Sequence, residues 1–342
     1  MSSIGTMRNI SLSNYFARAV LENVEKAGIS RESLLSSAGI APDLLAQPDA
    51  RIPAVQFGRL QTKTILAMRD EFVGYGPQAY LPGTWTNMCH SVIHCTSLGH
   101  ALARYCRFFQ MFEWGFQSEL IIDGEFAHLR VKAGNGVEDY GIYGWEMILF
   151  NAHRFASWLI RQHLPLQAVN LSYDAPAHVA EYRHLFLGQP IFFNKPHTEL
   201  VFHRSLAELP LSQNETSLRR FLKHPNLVFL VQQYPQKSWS TEVRLIINKQ
   251  LTSTPGIEDI AQTLGLHPQT LRRRLAHEGT TFNDIKTQCR RDTALYFLGK
   301  SSFTIEQIAL RTGFSETSAF TRAFKTWTGV PPQSYRQQLA EN

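Results

Sequence analysis

One repeat constrains this chain more than any other feature. The run Ile257-Glu258-Asp259-Ile260-Ala261-Gln262-Thr263-Leu264-Gly265-Leu266 returns as Ile305-Glu306-Gln307-Ile308-Ala309-Leu310-Arg311-Thr312-Gly313-Phe314. Ile260, Ala261 and Leu264 give a short helix its buried face, and Gly265 supplies a tight turn. Pro268 fits the first turn of a second helix whose core face is Leu271 and Leu275. In the second copy Gly313 takes the place of Gly265, and Phe320 and Phe324 take those of Leu271 and Leu275. The pattern predicts two helix-turn-helix units, over about 257–278 and 305–327. Gln269, Arg272 and Arg273 then share the outward face of the first unit's second helix, at i, i+3 and i+4. Thr317, Ser318, Thr321 and Arg322 form the matching face in the second. Gln and Arg can each contact base edges bidentately in a major groove.

Between the copies, Phe282 to Gly299 reads as one helix of 18 residues. At 1.5 Å per residue such a helix is about 27 Å long. Successive major-groove faces on one side of B-DNA lie about 34 Å apart. A rod of this length is suited to placing both second helices on one side of a duplex.

Gly313-Phe314-Ser315, Phe320-x-Arg322-x-Phe324-Lys325 and Gly329-Val330-x-Pro332-x-x-Tyr335-Arg336 together resemble the signature of AraC/XylS-type regulators. The N-terminal region resembles the arabinose-binding-like branch of that family. Arg51-Ile52-Pro53, Ser97-Leu98-Gly99, Tyr182–Phe186 leading to Phe192-Phe193, Leu206 and Leu209-Pro210-Leu211 carry that likeness. The cupin-type sensor of many relatives is not expected, because no His-x-His pair is present. The resemblance implies a transcription regulator that binds double-stranded operator DNA, is controlled by a small-molecule effector and forms a homodimer. RNA polymerase would be a partner if it activates. It also implies base contacts from Gln269, Arg272 and Arg273 and from Thr317, Ser318, Thr321 and Arg322. Arg274 and Lys325 are expected on phosphates, which position a protein without reading sequence.

Upstream of the repeat, helical and strand-like patterns alternate. Ser13 precedes a helical face of Phe16, Ala19, Val20 and Val24 closed by Gly28, and Pro53 opens a helix to about Met68. Another helix is expected from Ser97 to about Phe112, and a longer one from Tyr143 to His163. Leu120–Ile122 and Phe126–Val131 flank Asp123-Gly124, a hairpin signal that suggests a type I′ turn. Val169/Leu171/Tyr173 and Leu200/Phe202 alternate as strands do, and Ile191–Phe193 reads as a buried strand. The expected class is thus multidomain: an α+β sensor and dimerisation domain over 1–225, a linker region over 226–239, and an all-α DNA-binding domain over 240–342. In the last, two helix-turn-helix motifs are joined by a long helix.

Charge agrees without deciding the matter. The chain carries a net +6, and residues 240–342 hold 13 Lys and Arg against nine Asp and Glu. A basic balance permits a polyanionic partner. No apolar run approaches the length needed to span a bilayer, and the start lacks a secretory pattern, so a cytoplasmic protein is expected. Cys89, Cys95, Cys106 and Cys289 lack zinc-ribbon spacing and suggest no disulfide scaffold. His90 and His94, one helical turn apart, lack the adjacent Glu of a metalloprotease motif. Neither a metal nor a cofactor is expected. No nucleophile elbow, phosphate loop or dinucleotide fingerprint is found, so no enzyme is expected. Tyr105, Phe109, Trp145, His153 and Trp158 are the effector-binding candidates, and packed core is the other reading of the same residues. An N-terminal domain that only dimerises, binds a protein partner or carries an enzymatic activity stays open as an alternative.

Overall fold

A computed structural model describes residues 10–47, 50–232, 239–253, 255–278, 280–299, 303–328 and 330–340. Its strands are β1 (Ser11–Ser13), β2 (Arg51–Pro53), β3 (Gln117–Asp123), β4 (Phe126–Lys132), β5 (Ala168–Asn170), β6 (Ile191–Phe192) and β7 (Thr198–His203). The helices up to the linker region are α1 (Asn14–Val20), α2 (Arg31–Ala38), α3 (Ala54–Met68), α4 (Thr84–Val92), α5 (Leu98–Gln110), α6 (Gly141–Leu159), α7 (Tyr182–Leu185), α8 (Glu215–Phe221) and α9 (Pro225–Val231). Beyond it lie α10 (Trp239–Lys249), α11 (Ile257–Thr263), α12 (Pro268–His277), α13 (Phe282–Leu298), α14 (Ile305–Arg311), α15 (Thr317–Thr328) and α16 (Pro332–Ala340). The N-terminal region is thus α+β and the C-terminal region all-helical. By packing, described residues within 19–31 and 61–234 form one unit, and those within 1–18, 32–60 and 235–342 form the other.

The first unit is built on a five-stranded sheet in the order β3-β4-β7-β5-β6, antiparallel except for the β5–β6 pair. Helix α5 packs against β3, and α6 against β7. Ser97 caps α5 by accepting from the His100 N–H, and Leu98, Leu102, Tyr105 and Phe109 make its buried stripe. Helix α6 is apolar nearly all round, the mark of a helix enclosed by its neighbours, and almost every residue from Tyr143 to Leu159 is buried.

Three expectations shift here. The β3–β4 hairpin forms, but Asp123 pairs with Phe126, so the loop is Gly124-Glu125 rather than Asp123-Gly124. Only Gly124 has positive φ, +54°, which a type I′ turn would require at both loop positions. Strand β6 is an edge strand, not a buried one, and Phe192 is 44% exposed. Part of the expected linker is the helix α9, whose Phe229 is buried against Phe221 and Trp85 at 5.1 and 5.8 Å between ring centroids. Residues 233–238 of that linker lie outside the described residues.

The second unit joins the β1–β2 ribbon to the C-terminal helices. The Ser11 hydroxyl donates to Asp292 Oδ1 at 2.8 Å, and Arg51 donates to both the hydroxyl and the carbonyl of Ser11 at 3.2 and 2.8 Å. Asp292 lies on α13 and is buried. Burial pushes its carboxyl above the usual range, against the pull of Arg291 and Arg244 nearby.

Candidate nucleic-acid interface

Each step of the first helix-turn-helix has a local cause. Asp259 reaches back to accept from the Gly256 N–H at 2.8 Å, closing the start of α11. The helix stops because Gly265 takes φ +66°, where a Cβ would be strained, and Leu266 N–H bonds back to Ala261 at 2.9 Å. Pro268 then opens α12, with His267 Nδ1 accepting from the Gln269 N–H at 3.3 Å. The inner faces of α11 and α12 bury Ile257, Ile260, Ala261, Leu271 and Leu275 together with Val243 and Ile247 of α10 and Ile285 and Cys289 of α13.

The second unit repeats this construction with stronger capping. Thr304 and Gln307 form a reciprocal capping box at 2.9 and 3.1 Å. Gly313 has φ +78°, and Phe314 N–H bonds to Ala309 at 2.9 Å, as Leu266 does to Ala261. Phe320 and Phe324 fill the core with Tyr335 of α16, ring centroids 5.5–5.7 Å apart. These aromatics are core, not stacking platforms.

Helix α13 runs 17 residues, about 26 Å at 1.5 Å per residue. Thr281 and Asp284 cap its start. Its Arg290 donates to the Gly313 carbonyl at 2.8 Å and lies over the Phe314 ring at 4.7 Å. One side chain of the joining helix thus grips the turn of the second unit. Sequence spacing alone did not single out Arg290, because its partners lie more than 20 residues away in the chain.

Gln269, Arg272 and Arg273 are exposed on α12; Ser318, Arg322 and Lys325 are exposed on α15, with Thr317 and Thr321 half-buried beside them. Two arginines are already engaged. Arg272 Nη2 sits 3.0 Å from Glu258 Oε1, and Nη1 donates to Gln269 Oε1 at 3.5 Å. Arg274 is half-buried, its guanidinium 4.1 Å from the centre of the Trp239 ring. Glu278, at the end of α12, accepts from the N–H groups of Trp239 and Ser240 at 2.8 and 2.9 Å. Arg274 therefore ties the second helix of the first unit to the start of α10, a role that the expectation of a phosphate contact did not include.

The five effector candidates are packed against other groups of the sheet-bearing unit. Tyr105 and Phe109 pack on each other at 4.9 Å, and Phe109 packs on Phe116 at 4.5 Å. Trp145 donates to Asp139 at 2.6 Å, His153 bonds to the Leu164 carbonyl at 2.9 Å, and Trp158 stacks on Phe221 at 4.6 Å. All five are buried. An open polar groove of about 370 Å³ lies elsewhere in this unit, beside β3 and β4, where Glu113, Glu119, Arg130 and Lys132 supply charges of both signs. His90 and His94 converge on Glu215 at 3.6 and 3.1 Å, all on the surface. The four cysteines are buried free thiols.

Residues 28–211 match the model of the arabinose-binding domain of AraC transcription regulators, and residues 260–338 match a helix-turn-helix domain. The ornithine utilization regulator of Pseudomonas aeruginosa is 25% identical over 333 residues, which cover 94% of this chain and 95% of that protein. An uncharacterized HTH-type transcriptional regulator of Mycobacterium tuberculosis is 24% identical over 339 residues, covering 95% and 96%. VirS, an HTH-type transcriptional regulator of the same species, is 28% identical over 224 residues, 64% of each chain. With two helix-turn-helix units on one rod and a family match across more than half its length, the chain belongs to the AraC transcription regulators, with an arabinose-binding-type N-terminal domain and a helix-turn-helix DNA-binding domain.

Proposed function

We propose that this DNA-binding transcription regulator reads two adjacent major-groove segments, one with each recognition helix. Gln269 and Arg273 meet bases in the first segment, with Arg272 held beside them by Glu258 and Gln269, and Thr317, Ser318, Thr321 and Arg322 meet bases in the second. Lys325 meets phosphate. The observation that carries this reading is the pair of outward polar faces on α12 and α15, held by one helix of about 26 Å. The protein works as a cytoplasmic homodimer without catalytic activity, and its N-terminal domain binds a small-molecule effector. The family match over 28–211 supports effector control. Among the described residues, no helix is long and apolar enough to cross a membrane. An effector shifts regulation only if it binds the DNA-competent arrangement more tightly than the other.

Tight packing of all five aromatic and histidine candidates favours a second reading, in which the N-terminal domain dimerises without a ligand. Thermal melts of the full chain against a metabolite collection separate the two. A ligand at 100 times its Kd raises the stability of the folded state by about 2.7 kcal/mol; no shift with any compound supports the second reading. Affinity for duplex DNA measured between 50 and 200 mM salt tests the interface itself. Six or more phosphate contacts predict a fall of about a thousandfold or more, and salt-independent binding would rule the interface out.

A further inference from the structure

We propose that Glu258 determines specificity in the first helix-turn-helix unit by withdrawing Arg272 from guanine reading and leaving that role to Arg273. This rests on α12 being a base-reading helix, as set out above. Glu258 stands in the first turn of α11, and its Oε1 lies 3.0 Å from Arg272 Nη2. The other terminal nitrogen of Arg272 donates to Gln269 Oε1 at 3.5 Å. An arginine reads guanine by aiming two N–H groups at O6 and N7 together. Both terminal nitrogens of Arg272 are instead turned toward protein oxygens. Arg273, the next residue, is exposed and makes no such pair among the described contacts.

The second unit supplies an internal comparison. Glu306 occupies the position of Glu258, but Thr321 stands where Arg272 does, and Arg322 where Arg273 does. A threonine gives Glu306 no cation to hold. Each recognition helix therefore keeps one exposed arginine at the same position, and only the first has a second exposed arginine together with an acid that restrains it. The pair Glu258–Arg272 is close to neutral, so it adds little to sequence-independent attraction for phosphates. A free Arg272 would add to that attraction and blur the difference between operator and random DNA.

The test uses the full chain to select binding sites from randomised duplexes, and then measures affinity for a random duplex at 50–200 mM salt. Glu258→Gln, nearly isosteric, is expected to select a motif with an added guanine in the first block. Its log–log salt slope on random DNA should steepen by about 0.9, the value for one more phosphate contact, or about 3.5-fold more affinity lost across that salt range. The double variant Glu258→Gln, Arg272→Ala should lose both changes, and Arg272→Ala alone should leave the wild-type motif intact. Arg273→Ala should erase a base preference in every background. If Arg273→Ala does so while Glu258→Gln changes neither motif nor slope, Glu258 is only a helix-start acid and this proposal falls alone. If Arg272→Ala by itself erases a preference, Arg272 reads a base and the proposal also falls. A wild type that selects no motif would overturn base reading by α12, and this proposal with it.

Discussion

Acid should weaken the sheet-bearing unit through two imidazoles that fold neutral. His153 on α6 is fully buried and His163 is 6% exposed, their ring centroids 5.2 Å apart. The Leu164 carbonyl can only accept, so His153 carries its proton on Nε2, 2.9 Å away. The Gln189 amide nitrogen donates to His163 Nε2 at 3.0 Å, since its oxygen already accepts from Leu166 N–H. Burial first, and then a neighbouring positive group, lowers His153 to about 3 and His163 to about 4. An unfolded chain protonates both near 6.5. Stability is therefore fully present above 6.5 and is lost as pH falls toward the folded values. Between pH 7.5 and 5 each imidazole contributes about 2 kcal/mol to the loss, about 4 kcal/mol together. Urea unfolding followed by far-UV circular dichroism at pH 7.5, 6.5, 5.5 and 5.0 measures this slope. The double variant His153→Asn, His163→Gln begins less stable but should lose about 4 kcal/mol less over the same range. Parallel pH profiles for the two proteins would show that the imidazoles charge freely in the folded state, and would refute the reasoning.

The DNA-binding helices give further expectations. Arg290→Ala removes a charged hydrogen bond to Gly313 and a stack on Phe314; it should cost about 2–3 kcal/mol in chemical denaturation. Phe324→Ala, at a fully buried site, should cost about 3–5 kcal/mol and show as an early unfolding transition. Lys325→Ala should flatten the salt dependence of DNA binding by about 0.9 in log–log slope. Arg274→Ala should lower the melting temperature and leave that slope unchanged, because its guanidinium lies on Trp239.

The two helix-turn-helix units were legible because their determinants are local. Ile260, Ala261, Gly265, Leu271 and Leu275 lie within 16 residues, and each acts through helix periodicity or a turn that needs positive φ. Contacts between distant residues left no such trace. The Gly313 carbonyl meets Arg290, and Arg274 meets Trp239 from 35 residues away. Nothing in the pattern around Ser11 and Arg51 announces that this ribbon packs with Asp292. The hairpin was visible in Asp123-Gly124, yet its register slipped by one because a single left-handed glycine satisfied the turn. Large apolar side chains at helical spacing mark an inward face whether that face is core or pocket. Tyr105, Phe109, Trp145 and Trp158 carried that ambiguity, and they are packed against neighbours. The polar groove is lined by residues of β3, β4 and the segments beside them; only strand pairing brings those together, so no spacing rule finds them.

The most direct test of the central claim is binding-site selection with the wild-type chain, Arg273→Ala and Arg322→Ala in parallel. Two reading helices on one rod predict a wild-type motif of two blocks about one helical turn apart. Arg273→Ala should erase preferences in one block only and Arg322→Ala in the other only, each lost bidentate contact reducing discrimination by about 1–3 kcal/mol. A single block, or both variants weakening all sequences equally, would contradict separate base reading by the two units.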